Sequence, residues 1–124
     1  MPSTFKELKQ IAQTRKRKLG NNTYLVVRDD GGYGVRFHDT QVVVHYPDRV
    51  VLNSGGWYTR STKLRFNQYS NIRVYSKSGV WYANDNYGTE KNFAYTDELT
   101  FFSQRAIQLA AYSLIENRRP GKSN

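Results

Sequence analysis

The chain has 124 residues, a formal net charge of +9 and no cysteine. That length suits one domain spanning residues 1–124, and the missing thiols exclude a disulfide framework, a thiolate nucleophile and every Cys-based zinc site. No apolar run reaches the roughly 18 residues of a membrane-spanning helix, and no signal-peptide pattern opens the chain, so a soluble, non-secreted protein is expected.

Read in chain order, Ser3 or Thr4 caps a first helix with Phe5, Leu8, Ile11 and Ala12 apolar at helical spacing. Its tail is the run Arg15, Lys16, Arg17, Lys18, and Gly20, Asn21 and Asn22 are expected to stop it, since both residue types tolerate the left-handed conformation past a helix end. Two hairpins follow. Thr23 to Arg28 and Tyr33 to Phe37 flank Asp29-Asp30-Gly31-Gly32, and Gln41 to Tyr46 and Arg49 to Asn53 meet at Pro47 and Asp48.

A short helix is expected near 62–69, after the turn Asn53-Ser54-Gly55-Gly56. Ile72 to Ser76 and Val80 to Ala83 make a third hairpin around Lys77-Ser78-Gly79, residues 84–91 read as a loop, and Phe93 to Tyr95 and Leu99 to Phe102 are candidate short strands. A closing helix is expected near 103–117, stopped by Pro120. Its apolar residues exceed one stripe, which suits a core helix or a face buried in a second copy of the chain. The fold class is α+β, a meander of about six antiparallel strands with a helix at each end and one inside.

Charge is concentrated at the ends. Residues 1–20 carry six Lys/Arg against Glu7, for +5; residues 101–124 carry four against Glu116, for +3; the eighty residues between are close to neutral at +1. Cations that neutralise phosphates release counterions and give sequence-independent affinity, so Arg15, Lys16, Arg17, Lys18, Arg118 and Arg119 are candidate contacts to DNA or RNA. The plain alternative is a solvated face that aids solubility.

Around the glycine turn, rings and cations interleave as Trp57, Tyr58, Arg60, Lys63, Arg65 and Arg73, the pattern of surfaces that bind single strands. Lys63 and Asn67 would share one face of the short helix, and Arg65 and Tyr69 another, one of them wet. Trp57 and Trp81 are expected in the core, which leaves Tyr58 and Tyr82 as the better stacking candidates.

No enzyme motif survives scrutiny. His38 and His45 supply an acid and a base for a ribonuclease only if folding brings them together. The glycines at 31, 32 and 34 lack the Gly-Lys-Ser/Thr ending of a phosphate loop, Ser54 lacks the preceding glycine of a nucleophile elbow, and two histidines seven apart make no zinc site. The chain is expected to be non-enzymatic, with no metal and no cofactor.

The wording Leu-Gly-Asn-Asn-Thr-Tyr-Leu at 19–25, Phe-His-Asp-Thr-Gln-Val-Val at 37–43, Leu-Asn-Ser-Gly-Gly-Trp at 52–57 and Thr-Lys-Leu-Arg-Phe-Asn at 62–67 resembles a group of small bacteriophage proteins. The likeness extends over roughly 18–84 and includes Val80-Trp81-Tyr82, leaving out the basic front and the closing helix. It implies a phage product acting in the host cytoplasm or built into a virion. The expected function is an accessory protein that binds nucleic acid through its basic ends. The rivals are an inhibitor of a host protein, of anti-CRISPR or anti-restriction type, and a minor virion component.

Overall fold

A computed structural model describes residues 1–84 and 92–103. The expected closing helix near 103–117, together with Arg118 and Arg119, falls outside these residues, as does most of the 84–91 loop. The described chain runs α1 (Phe5–Ala12), β1 (Lys18–Gly20), β2 (Thr23–Val27), β3 (Tyr33–Phe37), β4 (Thr40–His45), β5 (Arg49–Leu52), α2 (Arg60–Tyr69), β6 (Arg73–Lys77), β7 (Val80–Asn84), β8 (Phe93–Ala94) and β9 (Leu99–Phe102). All strand pairs are antiparallel, in a six-stranded sheet of order β1-β2-β3-β4-β5-β9 and a three-stranded sheet of order β6-β7-β8.

Two expectations about the front are corrected. α1 starts where expected, with the Thr4 hydroxyl accepting from Glu7 N–H at 3.2 Å, but it ends at Ala12 and the basic run is not helical. The Thr14 hydroxyl donates to the Ile11 carbonyl at 2.7 Å, and the Arg17 guanidinium donates to the carbonyls of Thr14 (2.6 Å) and Ala12 (3.3 Å). Those bonds satisfy the orphan carbonyls of the last turn and so close the helix. Lys18 then opens β1, and Gly20-Asn21-Asn22, with Asn22 at φ +52°, turn the chain into β2 instead of capping a helix.

Among the described residues there are nine strands against the expected six or so, because β1 exists and because β8 and β9 find partners in β7 and β5. Turn chemistry carries the hairpins as expected: Gly31 at φ +86° closes β2–β3, and Ser78 (φ +53°) with Gly79 (φ +78°) closes β6–β7, the two-residue pattern with both central residues left-handed. α2 begins two residues before the expected start at 62, because Thr59 caps it, its hydroxyl accepting from Thr62 N–H at 3.2 Å.

Register places Leu25, Val35, Val43, Leu52 and Leu99 in one row across five strands of the large sheet. That row faces the helices, and α2 packs against both β4 and β6. An irregularity between Val35 and Arg36 inserts an extra residue in β4, so Val42 and Val43 are both buried in the same cluster despite being neighbours in sequence. Phe66 is fully buried, with its ring 5.4 Å from Tyr95 and 6.4 Å from Trp81, so it ties α2 to the small sheet while its helix packs on the large one. Phe66→Ala is expected to lower stability by about 3 to 5 kcal/mol in a urea titration. A loss below about 1 kcal/mol would mean that the core closes without that ring.

His45 is buried at the end of β4, with Nε2 2.7 Å from the Tyr69 carbonyl. The carbonyl can only accept, so this nitrogen carries the proton. Burial pushes the His45 pKa below its ordinary 6.5, against the opposing pull of that carbonyl and of the Glu7 charge. A histidine held neutral in the fold and free to protonate when unfolded contributes stability that is complete above the unfolded pKa and declines as pH falls towards the folded one. Urea midpoints should therefore drop as pH falls from about 7.5 to about 5, and His45→Gln should flatten the drop; parallel profiles for the two proteins would exclude His45 as its source.

Candidate functional site

The loop from Asn53 to Thr59 is held at both ends. The Asn53 side-chain oxygen accepts from Gly55 N–H (2.8 Å), while buried Ser54 donates through its N–H (2.9 Å) and hydroxyl (2.7 Å) to one carboxylate oxygen of Asp97, which also accepts the Tyr95 hydroxyl at 2.7 Å. Gly56 N–H returns to the Ser54 hydroxyl at 3.1 Å. Burial opposes the charge on Asp97, but the hydrogen bonds from Tyr95, Ser54 and Gly56 outweigh it and hold the carboxyl below its ordinary range. Burial, aided by the bond to Asp97, pushes the Tyr95 phenol well up, so it remains a donor. Gly55 sits at φ +63° against Thr40, where a Cβ would collide with the threonine side chain; both conditions require glycine.

This brace projects Trp57 into solvent. The indole is 68 % exposed, which corrects the expectation that both tryptophans belong to the core. A turn pinned by Ser54 below and capped into α2 above lifts the Trp57 ring clear of the core. Trp81 is half-buried among Phe66, Tyr95 and Tyr58, the last 4.9 Å away edge-on. Trp57 forms one wall of a cleft of about 490 Å³ whose other walls include Phe37, His38, Thr40, Val42 and Thr62.

The sequence-predicted cations separate into three places. Lys63 leans to the small sheet, its Nζ 3.0 Å from the Ser76 hydroxyl and 5.3 Å from the centre of the Trp81 ring; with exposed Tyr58 and with Arg60 at the start of α2 it forms a ring-and-cation shelf. Arg65, two residues on and so on the opposite flank of the helix, covers the Phe37 ring at 4.2 Å and donates to the Asn21 carbonyl (3.1 Å) and the Thr23 hydroxyl (3.3 Å). Both flanks of α2 therefore pack on neighbouring elements, and the ridge between them carries Arg60 and the 46 % exposed Leu64. Arg73 stands on the far face of the small sheet.

Arg15, Lys16 and Lys18 are exposed in and just before β1, and Lys18, opposite Tyr24, is on the face of the large sheet turned away from α2, whereas Arg17 is occupied in closing α1. His38 stands in the turn before β4 and His45 at its far end, with five strand steps, about 17 Å, between Thr40 and His45 alone, so folding does not assemble the histidine pair that a ribonuclease would need.

Among the described residues two ion pairs form, Arg28–Asp30 and Arg49–Asp48, and neither uses a cation singled out from the sequence. The near-neutral body is an average that hides a segregation. Residues 49–84, which contain α2, β6 and β7, hold six Lys/Arg and no Asp or Glu. That acid-free run is the signal in the sequence that would have found the region; the exposure of Trp57 and its brace from Asp97 have no local signature.

Asp97→Ala should cost about 1 to 3 kcal/mol, because it strands the Ser54 and Tyr95 donors, and should open the 55–58 turn to protease. Unchanged stability together with unchanged proteolysis would show that the brace does not hold the turn.

The chain matches the Kyanoviridae Gp96 protein model over residues 1–105, a span that includes the basic front segment as well as the wording of the phage resemblance. No curated protein and no solved structure matches it. On that match, the chain belongs to the Kyanoviridae Gp96 family of phage proteins.

Proposed function

We propose that this phage protein is a non-enzymatic accessory factor that binds nucleic acid without strong sequence preference in the host cytoplasm. The observation that carries the reading is the acid-free run 49–84, which folds into α2 and the β6–β7 hairpin with aromatic rings beside its cations. Exposed Arg15, Lys16 and Lys18 add further positive charge in and before β1. Such surfaces draw affinity from counterion release and so lose it steeply as salt rises.

Fluorescence anisotropy with single-stranded DNA, duplex DNA and RNA across a salt series tests this. Binding should weaken with salt, and the combined change Arg15→Glu, Lys16→Glu, Lys18→Glu should lower the salt slope by about one unit for each phosphate no longer neutralised, while leaving the fold intact. Arg17 is spared because it closes α1. Absence of binding at low salt would sink the proposal.

A second reading, an inhibitor of a host protein, draws support from Trp57, a large ring held exposed on a braced turn, since aromatic anchors of that kind dominate protein interfaces. Capture of a stoichiometric host protein from nuclease-treated lysate, stable in high salt and abolished by Trp57→Ala, would favour inhibition over nucleic-acid binding.

A further inference from the structure

The small sheet has a face that the shelf at α2 does not use. Arg73, Tyr75 and Lys77 alternate along β6 with buried Val74 and with Ser76, whose hydroxyl meets Lys63, so the three share the face turned away from α2. Register puts Val80 of β7 opposite Lys77 and Tyr82 opposite Tyr75 on that same face.

Tyr75 and Tyr82 are half-buried and stacked, with ring centroids 5.8 Å apart and planes 28° from parallel. The Arg73 guanidinium lies 5.7 Å from the Tyr75 ring centre, and Val80 is 48 % exposed. Arg73 and Lys77 stand about 13 Å apart along β6, one on each side of the tyrosine pair. Neither β6 nor β7 contains a carboxylate.

We propose that this face is a stacking platform for single-stranded nucleic acid, with bases laid on the Tyr75–Tyr82 ladder and Arg73 and Lys77 on the phosphates to either side. The proposal rests on the nucleic-acid reading and names its substrate class. Only a single strand exposes the π-faces of its bases, and stacking on aromatic side chains is tolerant of sequence because every base has such a face. A duplex would meet the two cations and nothing more. The site differs from the shelf of Lys63, Tyr58 and Arg60 in lying on the opposite side of the small sheet and in having a cation at each end of an aligned pair of rings.

The test compares the wild type with the pairs Tyr75→Leu/Tyr82→Leu and Tyr75→Phe/Tyr82→Phe, measured against an oligothymidine strand and a mixed-sequence duplex of equal length over a salt series. The leucine pair should lose about 5-fold or more in single-strand affinity for each base unstacked, with duplex affinity and the salt slope unchanged. The phenylalanine pair, which keeps both rings, should bind as the wild type does. Equal losses on strand and duplex, or no loss on the strand, overturn the platform. A wild type that binds neither probe overturns the nucleic-acid reading itself, whereas a wild type that binds both alongside an unaffected leucine pair removes the platform alone. Should the leucine pair not fold, photocrosslinking the wild type to an iodouracil oligonucleotide decides the matter: adducts on Tyr75 or Tyr82 support the platform, and adducts confined to other residues overturn it.

Discussion

The structure depends on one helix serving two sheets. α2 inserts Phe66 and Tyr69 into the shared core, and its Asn67 side chain acts as one more strand residue for β6: the Asn67 carbonyl oxygen takes the Val74 N–H at 2.7 Å and its amide donates to the Val74 carbonyl at 3.0 Å. The β6 edge is thus satisfied by a side chain at Val74, which blunts that position for pairing with another chain. Two residues on from Asn67, at the C-terminus of α2, the Tyr69 carbonyl accepts from His45 Nε2 of β4. A ten-residue helix of low intrinsic amphipathicity is held by these specific bonds and by burial of two rings, consistent with packing, more than propensity, stabilising short helices.

That arrangement also sorts charge. On the outer side of the large sheet, Arg28 pairs with Asp30 at 2.9 Å and bonds Gln41 at 2.7 Å, while the Tyr46 hydroxyl donates to the same Asp30. The Arg28 guanidinium and the Tyr46 hydroxyl hold the Asp30 carboxyl well below its usual range. Arg28 is neutralised there, while Arg36 on the same face lies 5.4 Å from the Tyr24 ring centre. In the α2–β6–β7 region the cations have rings, hydroxyls and carbonyls as neighbours instead: Lys63 with Trp81 and Ser76, Arg65 with Phe37 and Asn21, Arg73 with Tyr75. A cation lodged on a ring retains its charge, so this side of the molecule keeps a positive field towards solvent.

The braced turn at Trp57 belongs to the same design. Asp97 lies 43 residues from Ser54, and their bonds join the start of the turn to the segment that leads into β9. Because β9 pairs with β5, the strand that delivers the turn, the brace and the sheet register support each other. Exposed Trp57 thus stands on fixed backbone, which reduces the ordering entropy that a partner must overcome on contact.

The local elements were legible in the sequence because their signals are local. Gly31, Gly79, the Thr4 cap and the alternating apolar residues of the strands each act within a few positions, and the hairpins and the first helix's start follow from them, whereas the Thr59 cap that starts α2 was not expected. The sequence resembles phage proteins, and the family match over residues 1–105 agrees with a phage group. Three features were decided by tertiary structure. The basic run left the helix because β1 has a partner in β2, a pairing that Arg15 to Lys18 do not encode by themselves. Trp57 turned outward because the bond of Ser54 to Asp97, distant in sequence, fixes the turn. The cations of 60–73 divided among three surfaces because helix and strand periodicity point Lys63, Arg65 and Arg73 in different directions once α2 lies between two sheets. Composition and turn chemistry set what each segment becomes; which charges and rings meet is a property of long-range packing, to which no short window of sequence has access.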